Sequence, residues 1–163
     1  MSATTEERWQ KAFKVVREQF EIDNLLPEQE NARREFLGGR NIFVNFPTGY
    51  GKSLIFQCLP IAADALFGKP RGSSVLVVIS PLRSLMEGQI RNLNNMGVPA
   101  IAFTDDEDVE IIQQVMNGNY MFLLMALQSA CSLGDFLCRG RTGDEVMIRA
   151  KPPSDPSQTF FDV

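Results

Sequence analysis

Histidine is missing altogether from these 163 residues, which removes imidazole acid–base catalysis, histidine metal ligation and a histidine pH switch in one step. Cysteine is scarce. The three present, Cys58, Cys131 and Cys138, are odd in number and show neither CxxC nor Cys/His spacing. Neither a disulfide framework nor a zinc site is indicated, and reduced thiols of an intracellular protein are expected. No run approaches the roughly 20 apolar residues of a membrane span, and the start MSATTEERWQKAF is polar and acidic where a secretory signal has a basic end and an apolar run. Positive charge is also in short supply: 16 Lys and Arg face 20 Asp and Glu, a formal net charge of −4. That balance excludes a polybasic nucleic-acid binder, which works by displacing many counterions from phosphates. Nucleic-acid contacts must come from a local surface, and chemistry must run on Lys, Ser, Thr, Asp, Glu and backbone groups.

What is present is ordinary globular material, 44% hydrophobic and 22% charged, enough for one domain with its own core and not for two. The spacing predicts an amphipathic helix over 4–20, with Thr4 and Glu7 in capping-box spacing and Trp9, Phe13, Val16 and Phe20 on one face. Leu26-Pro27 marks the bend into a second helix, ended by Gly38-Gly39. From Asn41 the pattern changes to four short apolar runs, NIFVNF, VLVVI from Val75, AIAF from Ala100 and YMFLLMA from Tyr120. Runs of this kind suit strands buried on both faces. Helices are expected between them over 52–67, 82–96 and 107–117. Strand and helix in alternation imply right-handed crossovers and a mostly parallel sheet flanked by helices, an α/β fold. We therefore divide the chain into an N-terminal helical segment over 1–40, an α/β domain over 41–138 and an irregular, disordered tail over 139–163.

Between the first apolar run and the helix that follows lies Phe46-Pro47-Thr48-Gly49-Tyr50-Gly51-Lys52-Ser53, the strand–loop–helix context of a phosphate-binding P-loop. Gly49 and Gly51 allow backbone angles that turn successive N–H groups inward at the positive end of a helix dipole. The Lys52 ammonium can reach the β and γ phosphates, and the Ser53 hydroxyl can complete a Mg²⁺ shell. Thr48, Gly49, Tyr50, Gly51, Lys52 and Ser53 are thus the candidate nucleotide-binding residues. Lys52 and Ser53 are the candidate catalytic pair, and Ser53 the metal ligand. The general GxxxxGK pattern would place Gly at position 46, where this chain has Phe. The bland alternative is a glycine-rich turn that binds nothing.

The form PTGxGKS with a non-glycine start resembles superfamily 2 helicases. The stretch FEIDNLLPEQENARREFLGGRNIFVNFPTGYGKSLIFQ, Phe20 to Gln57, resembles the RecQ family's adenine-recognition motif followed by its first helicase motif. The resemblance implies a RecA-like layer, ATP and Mg²⁺ as ligands, and Gln29 gripping the adenine edge. Leu26 stands where the family has Arg, and Ile22 where an aromatic residue commonly stacks on the base. Val78-Ile79-Ser80-Pro81-Leu82-Arg83-Ser84-Leu85-Met86 with Gln89 is similar to the family's VSPLxSLMxDQ, with Gly88 replacing Asp. It implies that Ser80, Arg83 and Ser84 lie against single-stranded or partly duplex DNA. Alone, that motif is matched equally by a capped helix packed on a sheet. Further on, Leu127-Gln128-Ser129 replaces the family's Ser-Pro-Glu. The resemblance spans about 8–137 and is strongest through Gln89.

Hydrolysis needs a carboxylate at the end of a buried strand to hold Mg²⁺ and a second acid to orient water. Without histidine a DEAH box cannot be written, and the acidic pairs Asp106-Glu107 and Asp144-Glu145 sit in polar surroundings. The expectation is an incomplete RecA-like layer from a 3′ to 5′ DNA helicase acting in unwinding, repair and recombination, nuclear in a eukaryote and cytoplasmic otherwise. It is expected to bind ATP and DNA without helicase-rate turnover, and to self-associate through the incomplete sheet. A DEAD-box RNA helicase, a small-molecule phosphotransferase and a non-catalytic binding module are the competing readings.

Overall fold

A computed structural model of the chain describes residues 4–47, 49–80, 83–103 and 109–126. These fall into two compact units divided between Lys69 and Pro70.

The first unit is helical. Helix α1, Thr5–Phe20, starts where the sequence signals it: Thr4 accepts the Glu7 N–H and Glu7 accepts the Thr4 N–H, a complete capping box. Its buried stripe, Trp9, Ala12, Phe13 and Val16, follows the 3.6 period. Helix α2, Pro27–Leu37, opens with Pro in its first turn, where a missing N–H costs nothing. The long helix expected over 52–67 is two pieces, α3, Lys52–Gln57, and α4, Leu59–Phe67, joined at Cys58. Pro60 explains the break, since it can donate no hydrogen bond back to Phe56. Helix α4 packs against α1 and is buried along most of its length, as its near-uniform apolar composition requires.

The second unit carries the sheet. Strands β1, Leu76–Ile79, β2, Ala100–Phe103, and β3, Phe122–Met125, lie parallel in the order β1-β3-β2. The register sets Phe122 beside Leu76 and Ala100, and Met125 beside Ile79 and Phe103. Being central, β3 is buried on both faces, which is why its run is unbroken by polar residues. Helix α5, Arg83–Asn95, links β1 to β2, and helix α6, Val109–Met116, leads back to β3. This reversal of direction between right-handed crossovers puts the two helices on opposite faces. On one face Ile112 and Val115 of α6 close over Phe103, Leu123 and Met125. Asn94, near the end of α5, pairs with the backbone of Ala100 through both its amide groups, at 3.1 and 2.9 Å, extending the hydrogen bonding of β2.

One expected strand is absent. Asn41–Phe46 belongs to no ladder among the described residues, so three strands stand where four were expected. Burial along 41–47 still alternates with period two, as in an extended chain lying on a surface. Without a neighbour to exchange backbone hydrogen bonds, the pattern alone does not make a strand, and Phe43 is left 75% exposed. The segment 139–163, and the last residues of the expected α/β domain, lie outside the described residues.

Candidate nucleotide-binding site

The phosphate loop begins as a turn in which the Tyr50 N–H donates to the Pro47 carbonyl at 3.2 Å. Gly49 and Gly51 both lie at positive φ, +88° and +72°, the left-handed region that a side chain makes costly. Gly51 caps α3, and the Leu54 N–H closes on its carbonyl at 3.1 Å. The N–H groups of Lys52 and Ser53 precede any helical acceptor and are left to face an anion. Both side chains are half-buried. Tyr50 is exposed, its ring tilted against Phe46 with centroids 6.2 Å apart. Thr48 lies outside the described residues.

Gln29 is brought to this loop, and it is already engaged. Its Oε1 accepts the Leu26 N–H at 3.3 Å, capping its own helix, while Nε2 donates to the Tyr50 carbonyl at 2.9 Å and the Gly51 carbonyl at 3.5 Å. An amide oxygen has a second lone pair and an amide nitrogen a second hydrogen. With both amide hydrogens directed at the loop carbonyls, only the second lone pair of Oε1 remains for a further partner, and the same side chain fixes the height of the loop.

Sequence reasoning missed Arg33. One turn after Gln29, it is fully buried and its Nη2 donates to the Leu54 carbonyl of α3 at 3.0 Å. Nothing in the run Arg33-Arg34 distinguishes an inward arginine from an outward one; only the i, i+4 relation to Gln29 hints at it. Burial holds its pKa below the ordinary arginine value, partly offset by the nearby Cys58 sulfur. The Cys58 thiol is itself pushed up to about 11 by burial, with Arg33 pulling the other way. Arg34 turns toward α1. Its guanidinium lies over the Trp9 and Phe13 rings at 5.0 and 5.2 Å and grips Glu6 with two hydrogen bonds of 3.0 and 2.8 Å.

In the second unit, Ser80 follows β1, 7% exposed, with its N–H donating to the Met125 carbonyl at 3.0 Å. Arg83 and Ser84 stand exposed on the first turn of α5, and Pro81 and Leu82 lie outside the described residues. Among the described residues no group of three or more His, Cys, Asp or Glu could hold a metal. Ser53, the expected Mg²⁺ ligand, lies half-buried in the first turn of α3. No helix among the described residues is long and apolar enough to cross a membrane.

The family described as DEAD/DEAH box helicase matches residues 26–133. Curated relatives include the ATP-dependent helicase SGS1 of Saccharomyces cerevisiae, 37% identical over 102 residues, covering 63% of this chain and 7% of that protein. The ATP-dependent DNA helicase RecQ of Haemophilus influenzae is 32% identical over 106 residues, 65% of this chain and 16% of its own length. A putative ATP-dependent RNA helicase, R290 of Acanthamoeba polyphaga mimivirus, is 26% identical over 134 residues, 81% and 23% respectively. The chain thus spans less than a quarter of each of these relatives.

Proposed function

The chain belongs to the DEAD/DEAH box helicase family and resembles its RecQ-like members, and from that premise we propose that it forms the ATP-binding, DNA-contacting part of a RecQ-like 3′ to 5′ DNA helicase. The observation that carries this is the loop geometry: two glycines at positive φ flank Tyr50 directly ahead of Lys52 and Ser53 at the start of α3, with Gln29 bonded to the loop carbonyls. In this reading the loop N–H groups and the Lys52 ammonium balance triphosphate charge, and the Gln29 amide meets the adenine edge. Thr48, Gly49, Tyr50 and Gly51 shape the nest. Ser53 would hold Mg²⁺ from the protein side, and the ion would supply neutralisation of phosphate charge. Leu26 and Ile22 leave the base without its charged and stacking partners, so affinity is weak.

Ser80, Arg83 and Ser84 contact single-stranded DNA, in repair and recombination and in the nucleus if the source is eukaryotic. Arg83 and Ser84 are exposed and free to meet phosphates, while Ser80 offers its group from a buried position. In this reading the residues bind nucleotide without helicase-rate hydrolysis, since a DEAH sequence cannot be written without histidine and the acidic pairs Asp106-Glu107 and Asp144-Glu145 stand in polar stretches. Self-association proceeds through the unpaired segment 41–47, where Phe43 is exposed between Asn41 and Asn45. The likeness to a protein named as a putative RNA helicase supports RNA as the alternative strand.

Calorimetry with Mg²⁺ and ATP tests the nucleotide site. Wild type is expected to bind weakly and Lys52→Ala not at all; equal affinity in the two proteins overturns the assignment. Competition between single-stranded DNA and RNA of one sequence decides the strand, and preference for RNA moves the protein to the alternative reading.

A further inference from the structure

Helix α2 meets the phosphate loop at two points with matching spacing. Gln29 and Arg33 are four residues apart on α2, and their acceptors, the carbonyls of Tyr50 and Leu54, are four residues apart on the loop and α3. One such bond would let α3 rock about a pivot. Two of them, one helical turn apart, set both the height of the loop and the tilt of the helix that carries Lys52 and Ser53.

The second rung is made by an unusual group. Arg33 is fully buried, and its side chain makes no ion pair among the described residues; Nε and Nη1 find no close hydrogen-bond partner, and only the Cys58 sulfur and the more distant charge of Glu30 favour the guanidinium there. Its surroundings are poor compensation. The Cys58 thiol stays protonated at neutral pH because burial raises its pKa to about 11, and a neutral thiol offers a guanidinium little. A buried charge of this kind costs stability, and an apolar side chain of similar length is commonly neutral or better at such a place. The fold therefore gains little from Arg33. The gain lies at Leu54, whose carbonyl takes the helical Cys58 N–H at a long 3.3 Å and the Arg33 guanidinium at 3.0 Å. Because α3 breaks at Cys58 and runs only from Lys52 to Gln57, it has little helical length of its own to hold it straight.

We infer that Arg33 is a positioning residue for nucleotide binding, tethering α3 through the Leu54 carbonyl so that Lys52 and Ser53 are held in place, at the expense of fold stability. This rests on the nucleotide reading above, but its physical core, a tethered α3, can be measured without ligand.

The test uses the full chain with Arg33→Met and Arg33→Lys, read by urea melts, by calorimetry with Mg²⁺ and ATP, and by amide exchange over 50–57 in the nucleotide-free protein. Arg33→Met is expected to melt at the same or higher urea concentration, to bind ATP about tenfold more weakly, the size of one charge-assisted hydrogen bond, and to exchange faster over 50–57. Arg33→Lys, which keeps a donor, is expected to recover part of the affinity with no gain in stability. Parallel loss of stability and affinity in Arg33→Met, or its failure to fold, makes Arg33 merely structural and overturns the inference. So does unchanged exchange together with unchanged affinity. If the wild type itself binds no ATP, the functional reading fails alone, and faster exchange in Arg33→Met still upholds the tether.

Discussion

Gly49 and Gly51 both lie at positive φ, yet alanine is expected to act differently at each. At Gly49 an added Cβ meets nothing within 4 Å, leaving only backbone strain of about 1 kcal/mol. At Gly51 it would sit 2.8 Å from Gln29 Nε2, so the same strain is joined by the loss of the bond that ties the loop to α2. Gly51→Ala is expected to cost about 2 to 3 kcal/mol in urea melts and to abolish ATP binding in calorimetry, while Gly49→Ala lowers stability by less than half as much. Equal effects at the two sites would mean that the Gln29 contact is slack. Cys58 yields a pH prediction. Its folded pKa is raised from 9.0 to about 11, so the folded chain keeps a proton that the unfolded chain releases. That contribution is whole below pH 9 and lost between about 9 and 11, of order 2 kcal/mol. Urea midpoints are expected to fall across this window, and to fall less in Cys58→Ala.

At the scale of elements, α2 is held from both sides, by the phosphate loop through Gln29 and by α1 through Arg34. Trp9 is the chain's one tryptophan and reports on the second contact. Arg34→Ala removes a cation–π contact and a surface ion pair, and is expected to lower the urea midpoint slightly and to red-shift Trp9 fluorescence as the ring meets water. Unchanged emission would show that α1 is seated by its apolar face alone. The Glu6 carboxyl is held below its ordinary pKa, first by its hydrogen bonds from Arg34 and then by Gln10. Its part in the contact is therefore present above the ordinary carboxylate range and fades on acidification through the lowered value. The sheet behaves differently, because β3 is walled on both faces. Leu124→Ala, at a fully buried position, is expected to cost about 2 to 5 kcal/mol in urea melts, whereas Phe43→Ser, in the unpaired segment, changes stability by less than about 0.5 kcal/mol and reduces self-association in light scattering.

For the molecule as a whole, a net charge of −4 and a single short motif lead us to expect DNA affinity that is weak and falls steeply with salt; binding that survives 0.5 M salt, where charge contacts are strongly screened, would contradict the proposal. DNA-stimulated turnover near 1 s⁻¹, the low end of enzyme rates, would equally refute a chain that binds without hydrolysing. What the sequence determined by itself is whatever depends on neighbours within a turn or two. The capping box of α1, the amphipathic stripes, the three parallel strands and the PTGYGKS loop were legible there, and so was the family. Contacts that span the chain were decided by the tertiary structure. Gln29 and Arg33 reach acceptors 21 residues away, and the same letters could as well have faced water. NIFVNF has every local mark of a strand, but a strand exists only through hydrogen bonds to another, and among the described residues it finds none. Periodicity fixes which side chains share a face; which face meets which partner depends on packing that no local pattern encodes.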